Sequence, residues 1–181
     1  PDISKITEQA KEIAKSGVKE IILTGVNIGD FGKSTNQNFF HLLRELEKTE
    51  SVPRFRISSI EPNLLTDEII EFVSESEKFM PHFHIPLQSG CNEILGKMKR
   101  RYNRELFQHR IEKIRKTIPD AFVGVDVIVG FPGETDELFQ STFQFLKNMD
   151  ASYYHVFSFS SRPNTPAANM KGKIPGKIIQ Q

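Results

Sequence analysis

The stretch DAFVGVDVIVGFPGET, residues 120–135, decides how this chain folds. Its valine-rich run, 121–129, is typical of a strand that is buried on both faces, as in a parallel sheet. Asp126 interrupts this run, and burying a carboxylate without a partner is costly. A Gly/Pro turn, 130–133, follows at the carboxyl end, where α/β folds place their ligands. The stretch predicts a buried strand ending at a ligand site, with a structural pairing of Asp126 as the alternative.

Outward from this stretch, helical and strand patterns alternate along the chain. This alternation predicts an α/β fold of parallel βαβ units, with the helices outside. Because a helix comes first, we expect a partial, open parallel (β/α) barrel of about five strands that lacks its first strand. Helical periodicity covers 3–16, 38–48, a segment capped by Thr66, 92–99, 104–118 and 135–149, and strands are predicted at 18–26, 54–60, 82–87, 121–129 and 152–159.

Composition excludes several classes of protein. Hydrophobic residues make up 38% and charged residues 26% of the 181 residues, which is typical of a globular domain. The net charge of +1 predicts no global field for nucleic acid, and no apolar run approaches a membrane span. Cys91 is the single cysteine, so the chain supplies neither a disulfide nor a cysteine-only metal cluster. This cysteine usage fits a cytoplasmic protein.

Polar residues cluster where each predicted strand ends, and these ends share one face of a parallel barrel. They provide hydroxyls, amides and carboxylates but no nucleophile beside a base. Such a set suits a site that binds a polar ligand and leaves the chemistry to a cofactor. In strand order they are Thr24, Gly25 and Asn27; Ser58, Ser59 and Glu61; Gln88, Ser89 and Gly90; Asp126 and Glu134; and Ser158, Ser160 and Arg162.

The histidines allow a rival interpretation. His82 and His84 lie on the same face of one predicted strand, and with His155 and Asp126 they could form the metal centre of a barrel hydrolase. No lysine or further histidine completes that set. Histidines that fill the barrel interior are the alternative.

A basic segment follows the third strand, and its cations could bind phosphate: Lys97, Lys99, Arg100, Arg101 and Arg104. The alternative is a solvated helix end paired with carboxylates such as Glu105.

Five stretches of the chain belong together: ILTGVNIGDFG (22–32), RISSIEPNLL (56–65), HFHIPLQSGCNEILGKMKRRY (82–102), DVIVGFPGET (126–135) and HVFSFSSRPNTPA (155–167). In this order they resemble the radical S-adenosylmethionine (SAM) methylthiotransferases. Within that family, ELEKTE…RFRISSIEP, MKRRY and YYHVFSFS are most similar to the branch that modifies N6-threonylcarbamoyladenosine at tRNA position 37. Branches acting on isopentenyladenosine 37 or on a ribosomal protein are the alternatives. For a tRNA-modifying enzyme, we expect Lys97, Lys99 and Arg101 to contact RNA phosphates.

The resemblance implies an enzyme that inserts sulfur and a methyl group at C2 of the adenosine. Its cofactors would be SAM and [4Fe-4S] clusters, and its partner would be tRNA, without membrane contact; the oligomeric state stays open. No catalytic residue or metal ligand is expected in this chain. SAM contacts are implied for Thr24, Gly25, Asn27, Ser59, Glu61, Gln88, Ser89, Asp126, Ile128 and Gly130.

The chain departs from the family in one respect. The CxxxCxxC motif that holds the SAM-cleaving cluster is absent. We therefore expect residues 1–168 to be a barrel domain that lacks its first strand and cluster loop and is inactive alone. Residues 169–181 are expected to be an exit segment towards a C-terminal β domain. A non-catalytic nucleotide-binding barrel fragment is the alternative.

Overall fold

The structure is a computed structural model that describes residues 2–33, 35–50 and 52–179. Pro1, Ser34, Ser51, Gln180 and Gln181 lie outside the described residues, although the predicted domain and exit segment include them. The strands are β1 (Ile21–Leu23), β2 (Phe55–Ile57), β3 (His82–Gln88), β4 (Phe122–Val129) and β5 (Tyr153–Ser158). The α-helices are α1 (Ile3–Lys15), α2 (Phe39–Glu47), α3 (Asp67–Glu75), α4 (Asn92–Lys97), α5 (Arg104–Thr117), α6 (Asp136–Lys147) and α7 (Gly176–Ile179). Two 3-10 turns span Ile28–Asp30 and Pro166–Asn169.

All strand pairings are parallel, and the strands lie side by side in chain order. β1 pairs with β2, and β4 lies between β3 and β5. Two parallel bridges, Phe55 to Phe79 and Ser59 to His84, join the two groups. The predicted α/β class and parallel order are therefore confirmed.

The helices cover one face of the sheet. On β3, Phe83, Ile85 and Leu87 are buried against the helices, whereas the alternate residues are only half buried. The same alternation on β4 buries Val125 and Val127 and turns Asp126 the other way. We call the face without helices the inner face, because it corresponds to the interior of a closed barrel.

Side-chain caps fix where the helices begin. Thr66 accepts a hydrogen bond from Ile69 N, as the sequence predicted, and Asn103 accepts one from Leu106 N at the start of α5. β1 and β2 are shorter than predicted, with three residues each. After Leu23 the chain no longer pairs with β2 and continues towards the 3-10 turn at Ile28–Asp30.

The predicted exit segment packs back on the barrel. Gly133 N donates to Gly172 O over 2.9 Å, and Ile179 lies against Gly130. Met170 joins a small apolar cluster with Cys91 and Phe131. A domain boundary at residue 168 stays a prediction. Within the described part of the chain, no helix has the length and apolarity needed to cross a membrane.

Candidate functional site

Asp126 lies on the inner face, where His84 is its partner. His84 Nε2 and Asp126 Oδ1 are 2.7 Å apart. An ionised carboxylate only accepts hydrogen bonds, so His84 Nε2 must carry the proton when Asp126 is charged. This pair accounts for the carboxylate that interrupts the β4 run.

The end of β3 is irregular and tied down. The register of β3 with β4 shifts between Pro86 and Gln88, and Gln88 has a φ of 69°. The Tyr102 hydroxyl donates to Pro86 O (2.8 Å) and Leu87 O (3.2 Å). Burial raises the pKa of Tyr102, so this hydroxyl stays protonated and keeps donating. Gln88 is thereby held at the carboxyl end of the sheet.

Ser89 points away from this edge. It is fully buried, and its hydroxyl lies 3.1 Å from that of Thr142 on α6 and accepts from Cys91 N. Only the backbone of Ser89 is left for a ligand at the strand ends.

An ion-pair network joins the loops after β1 and β2 to the segment after α4. Arg101 donates to Asp30 Oδ2 (3.2 Å) and to Glu61 Oε2 (2.9 Å). Asn27 Nδ2 donates to the same Asp30 oxygen over 2.6 Å. Arg100 lies 3.5 Å from Glu61 Oε1, and its buried Nε has no partner among the described residues. The network brings Asn27 and Glu61, which are far apart in sequence, to one edge.

The basic segment is thus partly occupied by protein contacts. Lys97 Nζ binds Glu93 (2.8 Å) and Gly133 O (3.1 Å), while Arg101 already has two carboxylates. Lys99 is exposed. RNA contact by these three residues stays a prediction.

The turn after β4 is closed by Glu134. This side chain is 7% exposed, and its Oε2 accepts from Gly130 N over 2.6 Å. Loss of water around the carboxylate raises the pKa of Glu134, and its Oε1 is buried without a partner among the described residues. Gly130 has a φ of +79°, a conformation that favours glycine. The backbone from Ile128 to Gly130 is therefore fixed at the edge of the sheet.

Thr24, Gly25 and Asn27 also line a cleft of about 640 Å³. Its other walls include Ile6, Ala10 and Ile13 of α1. This apolar cleft lies beside β1 and away from Asp126 and Gln88. We therefore place the candidate site at the polar strand ends and not in this cleft.

The rival metal set is only partly assembled. His84, Asp126 and His155 are neighbours, with the rings of the two histidines 5.6 Å apart. His82 instead stacks on Phe122. Among residues 2–33, 35–50 and 52–179, no three His, Cys, Asp or Glu side chains are placed to hold a metal ion.

The family model for the radical SAM superfamily matches residues 1–146. The chain belongs to the radical SAM superfamily. The fold agrees: coproporphyrinogen III oxidase from Escherichia coli, described as a radical SAM enzyme, superposes with a TM-score of 0.68. That match covers 90% of this chain and 38% of the oxidase chain, at 18% identity. It supports the partial open barrel, and at this identity it says nothing about the reaction.

Curated relatives of this radical SAM chain are tRNA-modifying enzymes. Threonylcarbamoyladenosine tRNA methylthiotransferase MtaB of Bacillus subtilis is 45% identical over 98% of this chain, and its Aquifex aeolicus counterpart is 41% identical over 99%. The tRNA-2-methylthio-N(6)-dimethylallyladenosine synthase of Clostridium tetani is 38% identical over 98%. The chain spans 40%, 44% and 40% of the lengths of these three relatives.

The two cofactors of a radical SAM enzyme fit this chain differently. SAM carries an amino acid, a ribose and an adenine. The strand ends offer carboxylates, amides and the buried Nε of Arg100, which has no partner within the described part of the chain. A guanidinium beside the site suits the SAM carboxylate. A [4Fe-4S] cluster needs thiolates, and the single cysteine, Cys91, is buried in the small apolar cluster with Phe131 and Met170. The residues of this chain therefore fit SAM and do not fit a cluster.

Sequence reasoning missed the partners of the site residues. The sequence pattern assigns His84 to a metal or to interior filling, and Arg100 to a basic segment that binds phosphate or pairs with carboxylates such as Glu105; the carboxylate that Arg100 meets is Glu61. Their histidine and guanidinium groups are visible in the sequence, but the contacts join residues 42 and 39 positions apart.

Proposed function

We propose that the protein containing this chain is a tRNA methylthiotransferase that inserts sulfur and a methyl group at C2 of N6-threonylcarbamoyladenosine 37. One observation carries the proposal: similarity to curated threonylcarbamoyladenosine methylthiotransferases extends over nearly all of this chain at 40–45% identity. The dimethylallyladenosine synthases reach 36–39% over similar lengths. A cytoplasmic location stays a prediction from the cysteine usage.

SAM would bind across the carboxyl ends of the strands. When bound, it supplies the methyl group and the radical chemistry that the superfamily shares. This chain would hold and orient it. Arg100 would bind the carboxylate, and Arg101, held by Asp30 and Glu61, would fix the loops around it. The proposed contacts are Thr24, Gly25, Asn27, Ser59, Glu61, Gln88, the Ser89 backbone, Asp126, Ile128 and Gly130.

Arg100 provides the test of this placement. Arg100→Gln in the full-length enzyme keeps a hydrogen-bond donor but removes the charge that would pair with the carboxylate. Charge-assisted hydrogen bonds contribute about 1.5–3 kcal/mol, so SAM affinity should fall roughly 10- to 150-fold. Lys116→Gln, which removes an exposed cation at the far end of α5, is the control. Equal SAM affinity of the two variants would contradict the assignment.

The substrate is tested by product analysis. Anaerobically reconstituted full-length enzyme is incubated with SAM, a sulfur source and tRNA that carries either modification, and the nucleosides are analysed by mass spectrometry. We expect the methylthio product from threonylcarbamoyladenosine tRNA. Product only from isopentenyladenosine tRNA selects the other branch. No product from either tRNA favours a different target or a non-catalytic module.

RNA contact by the basic segment is tested separately, in binding experiments at several salt concentrations. Replacing Lys97, Lys99 and Arg101 by alanine should weaken tRNA binding and make its salt dependence shallower, by nearly one unit of slope for each phosphate that is no longer neutralised. Because Arg101 also pairs with Glu61, Lys99→Ala alone is the cleaner variant. Unchanged affinity and slope would mean that the tRNA is held elsewhere.

A further inference from the structure

The inner face of β5 carries a row of aromatic rings that the SAM site does not use. Tyr153, His155 and Phe157 alternate along the strand and share this face with Asp126. Tyr153 is 52% and Phe157 is 51% exposed. We call these three side chains the β5 aromatic row.

The row is a connected surface. The rings of Tyr153 and His155 are 4.5 Å apart and those of His155 and Phe157 are 6.2 Å apart. His155 also approaches His84 at 5.6 Å, so the row continues into the His84–Asp126 pair. Beside it, Gly124 lies opposite both His84 and Tyr153 and has no side chain. A Cβ on Gly124 would lie 3.5 Å from Phe122 Cε1 and 3.8 Å from His84 Cδ2, so aromatic rings border this position as well, and the His84–Asp126 pair supplies hydrogen-bonding groups beside it.

Charge limits what can bind there. Strands β3, β4 and β5 contain neither lysine nor arginine, so these three strands supply no such cation beside the β5 aromatic row. On β2, Arg56 lies on the same half-buried side, but Glu20 pairs with it at 2.8 Å. Planar ligands with polar edges suit it better: they stack on aromatic rings and hydrogen-bond at their rims. A nucleobase has both properties, whereas an aliphatic chain has no use for the His84–Asp126 pair.

We propose that the β5 aromatic row is the platform on which the target nucleobase stacks, beside the His84–Asp126 pair. This inference rests on the proposed function, because it names the part of the same site that receives the RNA base. In this arrangement SAM occupies the strand ends, including the Ile128–Gly130 edge, and the RNA phosphates lie outside the sheet face. The β5 aromatic row therefore binds the base itself and makes no contact with the RNA backbone.

The test compares two RNAs on the full-length enzyme: an anticodon stem-loop with the modified adenosine at position 37, and the same RNA with an abasic site there. Stacking on an aromatic ring contributes about 1–3 kcal/mol per base, so the abasic RNA should bind wild-type enzyme roughly 5- to 150-fold more weakly. Tyr153→Leu and Phe157→Leu keep the side chains apolar but remove the rings, and they should reduce that ratio severalfold. The matched control is Phe143→Leu, because Phe143 is 50% exposed on α6, on the helix side of the sheet.

Four outcomes would overturn the platform. The first is an unchanged ratio in both row variants. The second is weaker SAM binding in those variants with an unchanged ratio of affinities for the two RNAs, which would mean that the row contacts SAM and not the RNA base. The third is a large loss of thermal stability relative to Phe143→Leu, which means that another part of the protein covers the row. The fourth is binding of neither RNA by wild-type enzyme, which removes the proposed function as well.

The platform and the proposed function can fail separately. If wild-type enzyme forms the methylthio product but the row variants keep full base discrimination, only the platform fails. If the row controls base discrimination but no methylthio product forms, the platform holds and the reaction is a different one.

Discussion

The exit segment packs on the turn that follows β4, and substitutions at Gly130 measure how much this packing stabilises the fold. A Cβ on this residue would lie 2.4 Å from Ile179 Cδ1 and 2.6 Å from Ile179 Cγ1, well inside van der Waals contact. Its φ of +79° adds a second penalty for any residue with a side chain. Gly17 provides the control, because it has a φ of +80° and a Cβ added there would meet nothing within 4 Å.

These two glycines separate backbone strain from steric conflict. Gly17→Ala should lower the free energy of unfolding by about 1 kcal/mol through its left-handed conformation alone. Gly130→Ala carries the same cost plus about 1–3 kcal/mol for displacing Ile179, or roughly 2–4 kcal/mol in all. Adding Ile179→Ala removes the conflict, so the double variant should recover about 1–2 kcal/mol relative to additivity.

Urea unfolding of the 181-residue chain, followed by far-ultraviolet circular dichroism, measures all four variants at constant pH. The expected order of stability is wild type, Gly17→Ala, then Gly130→Ala. Equal losses for the two glycine variants, or additivity of Gly130→Ala with Ile179→Ala, would refute the docking of the exit segment. The segment would then move aside without cost.

Three further predictions concern the stability of the fold. Phe55 is fully buried and stacks on Phe79 at 5.2 Å, so Phe55→Ala should cost about 3–5 kcal/mol in urea unfolding; a loss below about 1 kcal/mol would contradict a packed core there. Thr66 accepts from Ile69 N, so Thr66→Ala should cost about 1 kcal/mol, whereas Thr66→Asp should preserve stability if capping is the cause. Burial raises the pKa of Glu134 above 4.5, so the folded chain holds this proton more tightly than the unfolded chain, and the resulting stability is present at low pH and lost as pH rises through the folded value. Glu134→Gln should therefore flatten the decline in stability as pH rises above 4.5, and an unaltered pH profile would show that this carboxyl does not contribute.

Local sequence determined most of the fold. The helix caps Thr66 and Asn103 and the valine-rich run before Gly130 act over a few residues, so their effects could be predicted without the structure. The strand–helix alternation then required parallel neighbours, and the structure confirms them. The lengths of β1 and β2 could not be predicted. A strand ends where hydrogen bonding to its neighbouring strand ends, and the apolar pattern continues beyond that point.

The strand-end rule also predicted that polar side chains of separate loops come to one edge of the sheet, but it could not predict which of them meet there. The sequence alone makes this chain an α/β domain with one cysteine and polar strand ends. Only the tertiary structure pairs His84 with Asp126, links Glu61 to Arg100 and Arg101, turns Ser89 towards α6 and brings Ile179 onto Gly130. The physical reason is distance along the chain. Propensity and periodicity act between near neighbours, whereas these contacts form only after the βαβ units have stacked in register and brought separate loops to one edge.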